Sequence, residues 1–282
     1  MFYSCRKPEP LDIKMPQQKD APVISATITD AEGVVISAGY SMESIRNISD
    51  RNPQGKIPRD ILVDSGTVRI SEGNGAAYSL YRLSPGVYGS NELELKDGSS
   101  YTLHVTDPKK GTTATATTTY YVQPQGSSVT PVYKGIRNGD TLCTLQVAIP
   151  DAQKDARYFI GYTTTKQLRE NVKVMSAPGA QNMSAIATFE PKQLELLQSK
   201  ATAALSHSFT IKASAGDTLV VQVGRVDEGY YKYLQAYKRT GYLINQLTGE
   251  PINLPTNVQT GYGYFALCKP NRYVFDMKEY IK

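Results

Sequence analysis

Cysteine and histidine are the side chains of this sequence with the widest reactive chemistry, and both are scarce. The three cysteines, Cys5, Cys143 and Cys268, are far apart, so none belongs to a CxxC metal or redox motif. The two histidines, His104 and His207, have no second histidine or cysteine at ligand spacing. His104 alternates with apolar neighbours, which predicts that its ring faces solvent. We therefore expect no metal site.

Motifs of established enzyme classes are also missing from the sequence. It contains no HExxH, GxSxG, Walker or GxGxxG pattern. Glu92 and Glu94 lie two residues apart on a predicted strand, where such carboxylates are solvated rather than placed on either side of a glycosidic bond. Catalysis needs a positioned acid, base or nucleophile. We predict a protein that is not an enzyme and uses no cofactor; carboxylates brought together by folding are the alternative.

The two later cysteines are expected to be structural. Cys143 lies in the run Leu142 to Ile149, where its parity matches that of Leu145 and Val147 and predicts a buried thiol. A disulfide between Cys143 and Cys268 is the alternative in an oxidising compartment.

Cys5 has a different context from the other two cysteines. Ser4 directly before it, and the bulky apolar Phe2 two residues further back, resemble the end of a bacterial lipobox. The residues that follow are polar and contain several prolines, a composition typical of an extended tether. We predict that Cys5 carries a lipid anchor and that residues 1–20 are the tether. The alternative is a chance cysteine in a disordered tail.

Composition limits the remaining classes of function. The chain of 282 residues is long enough for two domains, and no apolar run approaches the roughly 20 residues that span a bilayer. The net charge is +5, but lysine and arginine are scattered along the chain. A nucleic-acid binder concentrates its basic residues on one face, so we expect no nucleic-acid partner.

Alternation of apolar and polar residues dominates the chain and predicts a mainly β fold. Short strands separated by turn residues over residues 21–122 predict a β-sandwich. Residues 123–135, rich in Pro, Gly and Ser, are the predicted linker. Residues 136–282 form the predicted β-rich second domain, which opens at the hairpin turn Asn138-Gly139.

Two helices are predicted within the second domain. Near residues 190–205, Pro191 fits a first turn, and the four residues Leu194, Leu197, Ala201 and Leu205 share one helical face. Near residues 228–240, Asp227 is a predicted N-cap.

The helix near residues 228–240 also supplies the ligand-binding candidates. Tyr230, Tyr233, Leu234 and Tyr237 form one stripe, which favours packing on a sheet. Alternatively, Tyr231 and the basic residues of the helix, with Lys232 first, form an exposed contact surface. Tyr242 begins a long loop, and long loops are often functional. Tyr231, Lys232 and Tyr242 are therefore the candidate ligand-binding residues.

Four segments carry a resemblance to a known family. They are an N-terminal cysteine followed by residues 8–13; the segments 63–70, 84–88 and 101–105 of the first domain; residues 216–223 running into 227–233; and the ending at residues 257–265. In this order they resemble Bacteroidota outer-membrane lipoproteins catalogued as domain of unknown function 4249. The resemblance implies an immunoglobulin-like first domain, a β-rich second domain and a lipid-anchored position at the cell surface.

The resemblance also implies a class of partner. Such bacteria pair surface lipoproteins with TonB-dependent receptors, so we expect an accessory component that docks on a receptor or binds a nutrient such as a glycan or peptide. An adhesive or pilus-type structural protein is the alternative. The tripeptides that begin at Asp140 and Asp217 resemble the Asp-Thr-aliphatic O-glycosylation motif of these bacteria, which would place glycans on Thr141 and Thr218, or they are coincidental.

Overall fold

The computed structural model describes residues 21–26, 33–41, 61–73, 75–164, 189–240 and 253–281. These residues are mainly β, which confirms the predicted class, and they contain one helix of more than a single turn. The immunoglobulin-like connectivity of the first domain stays a prediction. The helix is α1 (Glu228–Thr240). The strands are β1 (Pro22–Ala26), β2 (Val34–Tyr40), β3 (Thr67–Glu72), β4 (Ala77–Ser84), β5 (Val87–Ser90), β6 (Ser100–Asp107), β7 (Thr112–Thr119), β8 (Ser128–Arg137), β9 (Asp140–Ile149), β10 (Arg157–Thr164), β11 (Leu194–Gln198), β12 (Leu205–Lys212), β13 (Thr218–Val226), β14 (Val258–Gln259), β15 (Tyr262–Tyr264) and β16 (Asn271–Asp276).

The first sheet closes on itself. Its nine strands are hydrogen-bonded in the order β14-β7-β6-β3-β4-β5-β2-β1-β15. β14 and β15 lie at opposite ends of this order, yet only Thr260 and Gly261 separate them in the chain. The two-residue connection therefore joins the two ends of the sheet around one core. The core is built from alternate residues of its strands, including Ile24, Ile36, Ile70, Tyr88 and Leu103.

Glycine makes this closure sterically possible. β15 runs parallel to β1, with Val23 opposite Tyr262 and Ile24 opposite Gly263. Gly263 has a φ of +94°, and a Cβ at this position would collide with the carbonyl oxygen of Ile24. A Cβ on Gly261 would likewise collide with the carbonyl oxygen of Pro22. Only residues without a side chain can approach β1 so closely.

The second part of the chain forms two further sheets that share a core. A three-stranded sheet of order β12-β9-β8 packs on a four-stranded sheet of order β11-β10-β13-β16. The predicted turn between β8 and β9 is confirmed, because Asn138 and Gly139 have φ values of 52° and 81° and Arg137 pairs with Asp140. Two successive positive φ values define a two-residue type I′ hairpin.

Helix α1 covers the other face of the four-stranded sheet. Tyr230 and Leu234 pack with Phe159 of β10 and Val226 of β13 in a third hydrophobic cluster. The predicted cap is confirmed, since Asp227 Oδ1 accepts a hydrogen bond from the Tyr230 backbone N–H at 2.7 Å. β10 and β13 are consequently buried on both faces, and their sequences are almost continuously apolar.

A segment of the predicted second domain also contributes to the core of the first sheet. Residues 264–268 are buried throughout and alternate between two clusters: Phe265 and Leu267 enter the first core, while Tyr264, Ala266 and Cys268 enter the cluster under α1. This C-terminal segment therefore belongs to both parts. The predicted linker also differs, because strand β8 already begins at Ser128 within residues 123–135.

The predicted helix near residues 190–205 is wrong. The local start is as expected, with Pro191 in a single 3₁₀ turn and a capping box formed by Glu190 and Gln193. From Leu194 onward, however, the chain pairs with β10 as the edge strand β11. This pairing buries Leu194 against α1 and packs Leu197 on the opposite core, so tertiary contacts outweigh the helical spacing of the leucines.

Polar contacts fix the two parts to each other. Asp227 Oδ2 accepts hydrogen bonds from the Thr118 hydroxyl at 2.6 Å and the Thr119 N–H at 3.3 Å on β7. The Gln123 side chain accepts from the Arg225 N–H at 2.6 Å and donates to the Tyr121 carbonyl at 2.9 Å. Asp227, at the start of α1, thus bonds to β7 of the first part, and Gln123, which follows β7 in the chain, bonds to β13 of the second part.

Substitution of Gly263 by alanine tests the closure of the first sheet. The added Cβ must displace the β1 backbone and adopt a positive φ, so we expect the free energy of unfolding to fall by about 3 kcal/mol. Gly98→Ala is the matched control, because Gly98 has a φ of +72° but open space around it. We expect a loss of about 1 kcal/mol for the control. Equal losses in urea titrations of the two variants would contradict the close approach of β15 to β1.

Substitutions of Asp227 test the contact between the two parts of the fold. Asp227→Ala removes the helix cap and both bonds to β7, so we expect the free energy of unfolding to fall by about 3 kcal/mol. Asp227→Ser retains a capping oxygen but does not reach β7, so about 1 kcal/mol of this loss should be recovered. Full recovery by serine would show that Asp227 acts only as a cap. Chemical denaturation of both variants measures the difference.

Candidate functional site

The structure does not support Tyr231 as a surface ligand-binding residue. Its side chain is 7% exposed and lies in the cluster under α1, and burial raises the pKa of its hydroxyl. The buried residues of α1 are Tyr230, Tyr231, Leu234 and Ala236, while Tyr233 and Tyr237 of the predicted stripe are partly buried against the same cluster. The prediction that this stripe packs on a sheet is confirmed, whereas an exposed contact surface at Tyr231 is wrong.

Lys232 is exposed but already has an ionic partner. Its Nζ lies 2.8 Å from Glu228 Oε1, one helical turn away. Arg157 contacts the other oxygen of Glu228 at 3.0 Å. The hydrogen bond from Lys232, followed by the charge of Arg157, lowers the pKa of Glu228. Tyr242 and Cys5, the other two predicted site residues, lie outside the described residues.

A second group of polar side chains connects α1 with both sheets of the second part, and no sequence motif indicated it. Glu195 Oε2 of β11 lies 3.0 Å from Lys238 Nζ of α1 and 3.9 Å from His207 Nε2 of β12. The His207 ring also stacks on Phe209 at 5.6 Å. All three side chains are partly exposed, so this group connects three elements at the surface. His104 is exposed on β6, as predicted.

Tyrosine rings link α1 to the closing strand β15. Tyr233 stacks on Tyr230 at 5.8 Å and on Tyr237 at 6.4 Å, and it contacts Tyr264 at 5.2 Å. Burial is the main cause that raises the pKa values of Tyr230 and Tyr264, so both rings stay neutral. These tyrosines stabilise the position of α1 on β15 rather than offering a free binding surface.

The most distinctive surface is an uncharged face of the first sheet. We define it as the outward side chains of β15, β1, β2, β5 and β4, with two glycines between them: Tyr262, Val23, Ser25, Val35, Ser37, Val87, Tyr81 and Leu83, and Gly39 and Gly89. Tyr81, Leu83 and Tyr262 are 59%, 54% and 47% exposed. Large exposed apolar side chains grouped on one face mark interaction sites on soluble proteins.

Local geometry explains how β4 contributes to this face. A bulge between Arg82 and Ser84 shifts the register against β5. Leu83 thereby lies directly over Gly89, where a Cβ would meet Leu83 Cδ1 at 2.7 Å. Tyr81 is paired with the same glycine, so both exposed side chains flank it. A β-bulge commonly re-aims side chains in this way.

The uncharged face includes β1, the first strand of the described residues. Ala21 and Ser41 exchange hydrogen bonds, the Ser41 N–H donating to the Ala21 carbonyl at 2.8 Å. The next residues begin β1, whose Val23 is paired with Tyr262. A signal for this face was present in the sequence, because β1 and β2 contain no charged residue. Solvated strand faces of antiparallel sheets are usually polar.

The opposite side of the first sheet has a different character. Its outward residues on β3, β6 and β7 are mainly threonines with Arg69 and His104 among them: Thr67, Thr102, Thr106, Thr113, Thr115, Thr117 and Thr119. The hydroxyls of Thr102 and Thr117 lie 3.1 Å apart across the strands. We call these outward residues the threonine face. Substitutions on it serve as controls for substitutions on the uncharged face.

The two described cysteines are free thiols in different clusters. Cys143 is fully buried in the core of the second part, as predicted. Cys268 is buried under α1, where desolvation raises its pKa. The alternative disulfide is therefore not formed. Thr141 and Thr218 are partly exposed at the starts of β9 and β13, and their glycosylation stays a prediction.

Neither a metal centre nor a membrane-spanning helix is found in the described part of the chain. Among them, no group of three or more His, Cys, Asp and Glu side chains is arranged to hold a metal ion. Within the same residues, no helix combines the length and apolar character required to cross a membrane.

Similarity to solved structures is weak. A chain described as a cytokine receptor complex matches at 10% identity and a TM-score of 0.27, covering 74% of this chain and 86% of that chain. A chain from a structure on neurohormone perception by the receptor tyrosine kinase Torso matches at 10% identity and a TM-score of 0.20, covering 74% and 70%. TM-scores this low carry no argument about fold or function. No curated protein matches the chain.

A comparison with protein families gives a match over nearly the whole chain. Residues 8–273 match a family described as Domain of unknown function (DUF4249). The matched range contains both parts of the fold and the closing segment between them, and it confirms the resemblance carried by the four sequence segments. The chain belongs to the DUF4249 family.

Proposed function

We propose that the protein is a cell-surface lipoprotein that docks, through its uncharged face, on an outer-membrane receptor of a TonB-dependent uptake system. The observation that carries the proposal is the exposure of Tyr81, Leu83 and Tyr262 on a face with no charged member. Charged residues are depleted at the centres of protein interfaces, and aromatic residues are enriched there. Such a face is better suited to a partner surface than to water.

The position of the face relative to the proposed anchor supports docking at a membrane. Cys5 precedes Ala21 by 16 residues, which span at most about 55 Å when extended. The tether joins the body beside Val23 and Tyr262, so it would hold this face within reach of proteins embedded in the same membrane. Lipid chains on Cys5 would contribute about 0.8 kcal/mol for each buried CH₂ group.

The contacts between the two parts are consistent with this role. Asp227 and Gln123 fix the second part against the first, and the segment 264–268 is shared by both. A receptor that holds the uncharged face would therefore also determine where the second part points. The second part would be presented at a defined angle to a nutrient, such as a glycan or peptide, or to a further partner. The proposal assigns no catalytic step.

A pilus-type structural subunit has less support. Such subunits add a strand from a neighbouring molecule to an incomplete sheet. In the first sheet, that place is taken by β14 and β15 of the same chain. Docking by side chains of an intact face agrees better with this arrangement.

The docking proposal is tested with paired charge substitutions. The double variant Tyr81→Glu/Leu83→Glu places two carboxylates on the uncharged face, and burying them unpaired should weaken receptor binding about 100-fold. Thr106→Glu/Thr117→Glu is the matched control, because it adds the same charge to exposed positions of the threonine face on strands that do not pair with β4. The measurement is affinity purification of the tagged lipoprotein from native outer membranes.

The expected result is a TonB-dependent receptor retained by the wild type and the control but lost from the Tyr81/Leu83 variant. Equal retention by both variants would refute the assignment of the face. Absence of any such receptor from the wild-type sample would refute the proposed partner.

The anchor is tested separately. Cys5→Ser, expressed with the native secretion leader, removes the thiol that would be acylated, so we expect the protein to move from the membrane fraction to the soluble fraction. Intact mass spectrometry of the wild type should show the added acyl chains on Cys5. An unmodified Cys5 in membrane-derived protein would contradict the anchor and leave the docking proposal standing on its own test.

A further inference from the structure

The threonine face has an arginine and a histidine side by side at its centre. Arg69 of β3 is paired directly opposite His104 of β6, and both side chains are exposed. Among the described residues, no oxygen atom accepts a hydrogen bond or an ion pair from either side chain. A carboxylate directly across from an arginine would stabilise the strand pair, and here an imidazole takes that position. The guanidinium therefore keeps its N–H donors open to solvent.

Hydroxyl groups surround this pair. Ser79 of β4 is opposite Arg69, and Thr115 of β7 is opposite His104, so one row of four polar side chains crosses four strands. The neighbouring outward residues along β3 and β6 also bear hydroxyls: Thr67, Ser71, Thr102 and Thr106. Outward residues two positions apart on a strand are separated by about 7 Å, which is within reach of a single extended ligand.

Acidic side chains are kept off this surface. The outward positions of β3, β6 and β7 hold threonine and serine apart from Arg69 and His104. The acidic residues of these strands, Glu72 and Asp107, lie at strand ends and already have partners. Glu72 Oε2 lies 2.8 Å from Lys96 Nζ, and Asp107 is 4% exposed. No carboxylate of these strands therefore competes with an external anion for the guanidinium.

The shape of the surface favours an extended ligand over a small anion. It is an open sheet face that extends about 14 Å along β3 and about 14 Å across from β3 to β14. A single ion on such an exposed face gains little, so affinity must come from many shallow contacts along a polymer. A peptide cannot add as a strand, because β3 and β6 are inner strands that are paired on both sides. A sugar chain with acidic groups supplies both an oxyanion and hydroxyls.

We propose that the threonine face binds an acidic polysaccharide, with a carboxylate or sulfate group of the sugar chain on Arg69 and His104. Arginine binds such oxyanions through two parallel N–H donors. The surrounding threonine and serine hydroxyls, which both donate and accept, bind the sugar hydroxyls. Because this surface and the uncharged face lie on opposite sides of the first sheet, a protein docked through the uncharged face keeps it accessible. The site depends neither on that docking nor on the lipid anchor.

Arginine substitutions test the site. Arg69→Gln removes the charge from the centre of the face, so the dissociation constant of a galacturonic acid oligomer should rise about 10-fold. Arg69→Lys keeps the charge but not the fork of donors, and it should recover only part of this loss. Arg137→Gln is the matched control, because Arg137 is an exposed arginine of β8 and its loss changes the net charge equally. Isothermal titration calorimetry of the purified chain measures binding.

The same assay tests the hydroxyls and the sugar chemistry. Thr102→Val/Thr106→Val removes two hydroxyls beside His104 and retains the β-branched shape, so the galacturonic acid oligomer should bind about 5-fold more weakly. A heparin oligomer distinguishes sulfate from carboxylate as the preferred oxyanion. A neutral maltose oligomer should not bind measurably.

Saturable binding of either acidic oligomer that is weakened by Arg69→Gln and not by Arg137→Gln would support the site, and the tighter ligand would identify the oxyanion. Absence of binding by both acidic oligomers, or an unchanged affinity in Arg69→Gln, would overturn it. Equal weakening by Arg69→Gln and Arg137→Gln would also overturn it, because net charge alone would then explain the attraction. Unchanged affinity in Thr102→Val/Thr106→Val, or equal binding of the maltose oligomer, would refute recognition of an acidic sugar chain by this face.

Discussion

The fold depends on one short segment that is buried on both of its faces. Residues 264–268 alternate between two hydrophobic clusters, with Phe265 and Leu267 in the core of the closed sheet and Tyr264, Ala266 and Cys268 under α1. The pleat of an extended chain sends successive side chains to opposite sides, so a single strand-like segment can serve as the common wall of two cores. Removing apolar contacts on either side would therefore affect both parts.

The closed sheet, the tyrosine cluster and the polar joint all follow from the position of this segment. Just before it, β14 and β15 complete the first sheet through Gly261 and Gly263, and Tyr264 then receives the rings of α1. Asp227, at the start of α1, bonds back to β7 of the same closed sheet. A body fixed at so many points presents its uncharged face and its second part in one relative orientation, which is what a docking component of a larger assembly requires.

Local features were the most predictable from sequence. The period-two strands, the Asn138-Gly139 turn, the Asp227 cap and the buried Cys143 all depend on short-range rules of pleating, turn geometry and capping.

Long-range pairing was not predictable. The leucines after Pro191 have helical spacing, and only the free edge of β10 converts them to β11. The return of residues 257–267 to the first sheet carried no local signal, so the sequence did not predict this pairing. The prediction that Tyr231 is exposed was wrong for a related reason. Which residues of α1 are buried depends on the side of the helix that the four-stranded sheet contacts. The lipid anchor at Cys5 and the ligand-binding role of Tyr242 stay predictions.

Native-state hydrogen exchange tests the shared wall most directly. If residues 264–268 couple the two cores, the slowest-exchanging amides of both parts should open with the same free energy. Ile36 and Leu103 represent the closed sheet, and Leu145 and Val221 represent the second part. That opening free energy should equal the global free energy of unfolding. Two separate plateaus, with one part opening while the other stays protected, would show that the cores are independent and that the common wall does not hold them together.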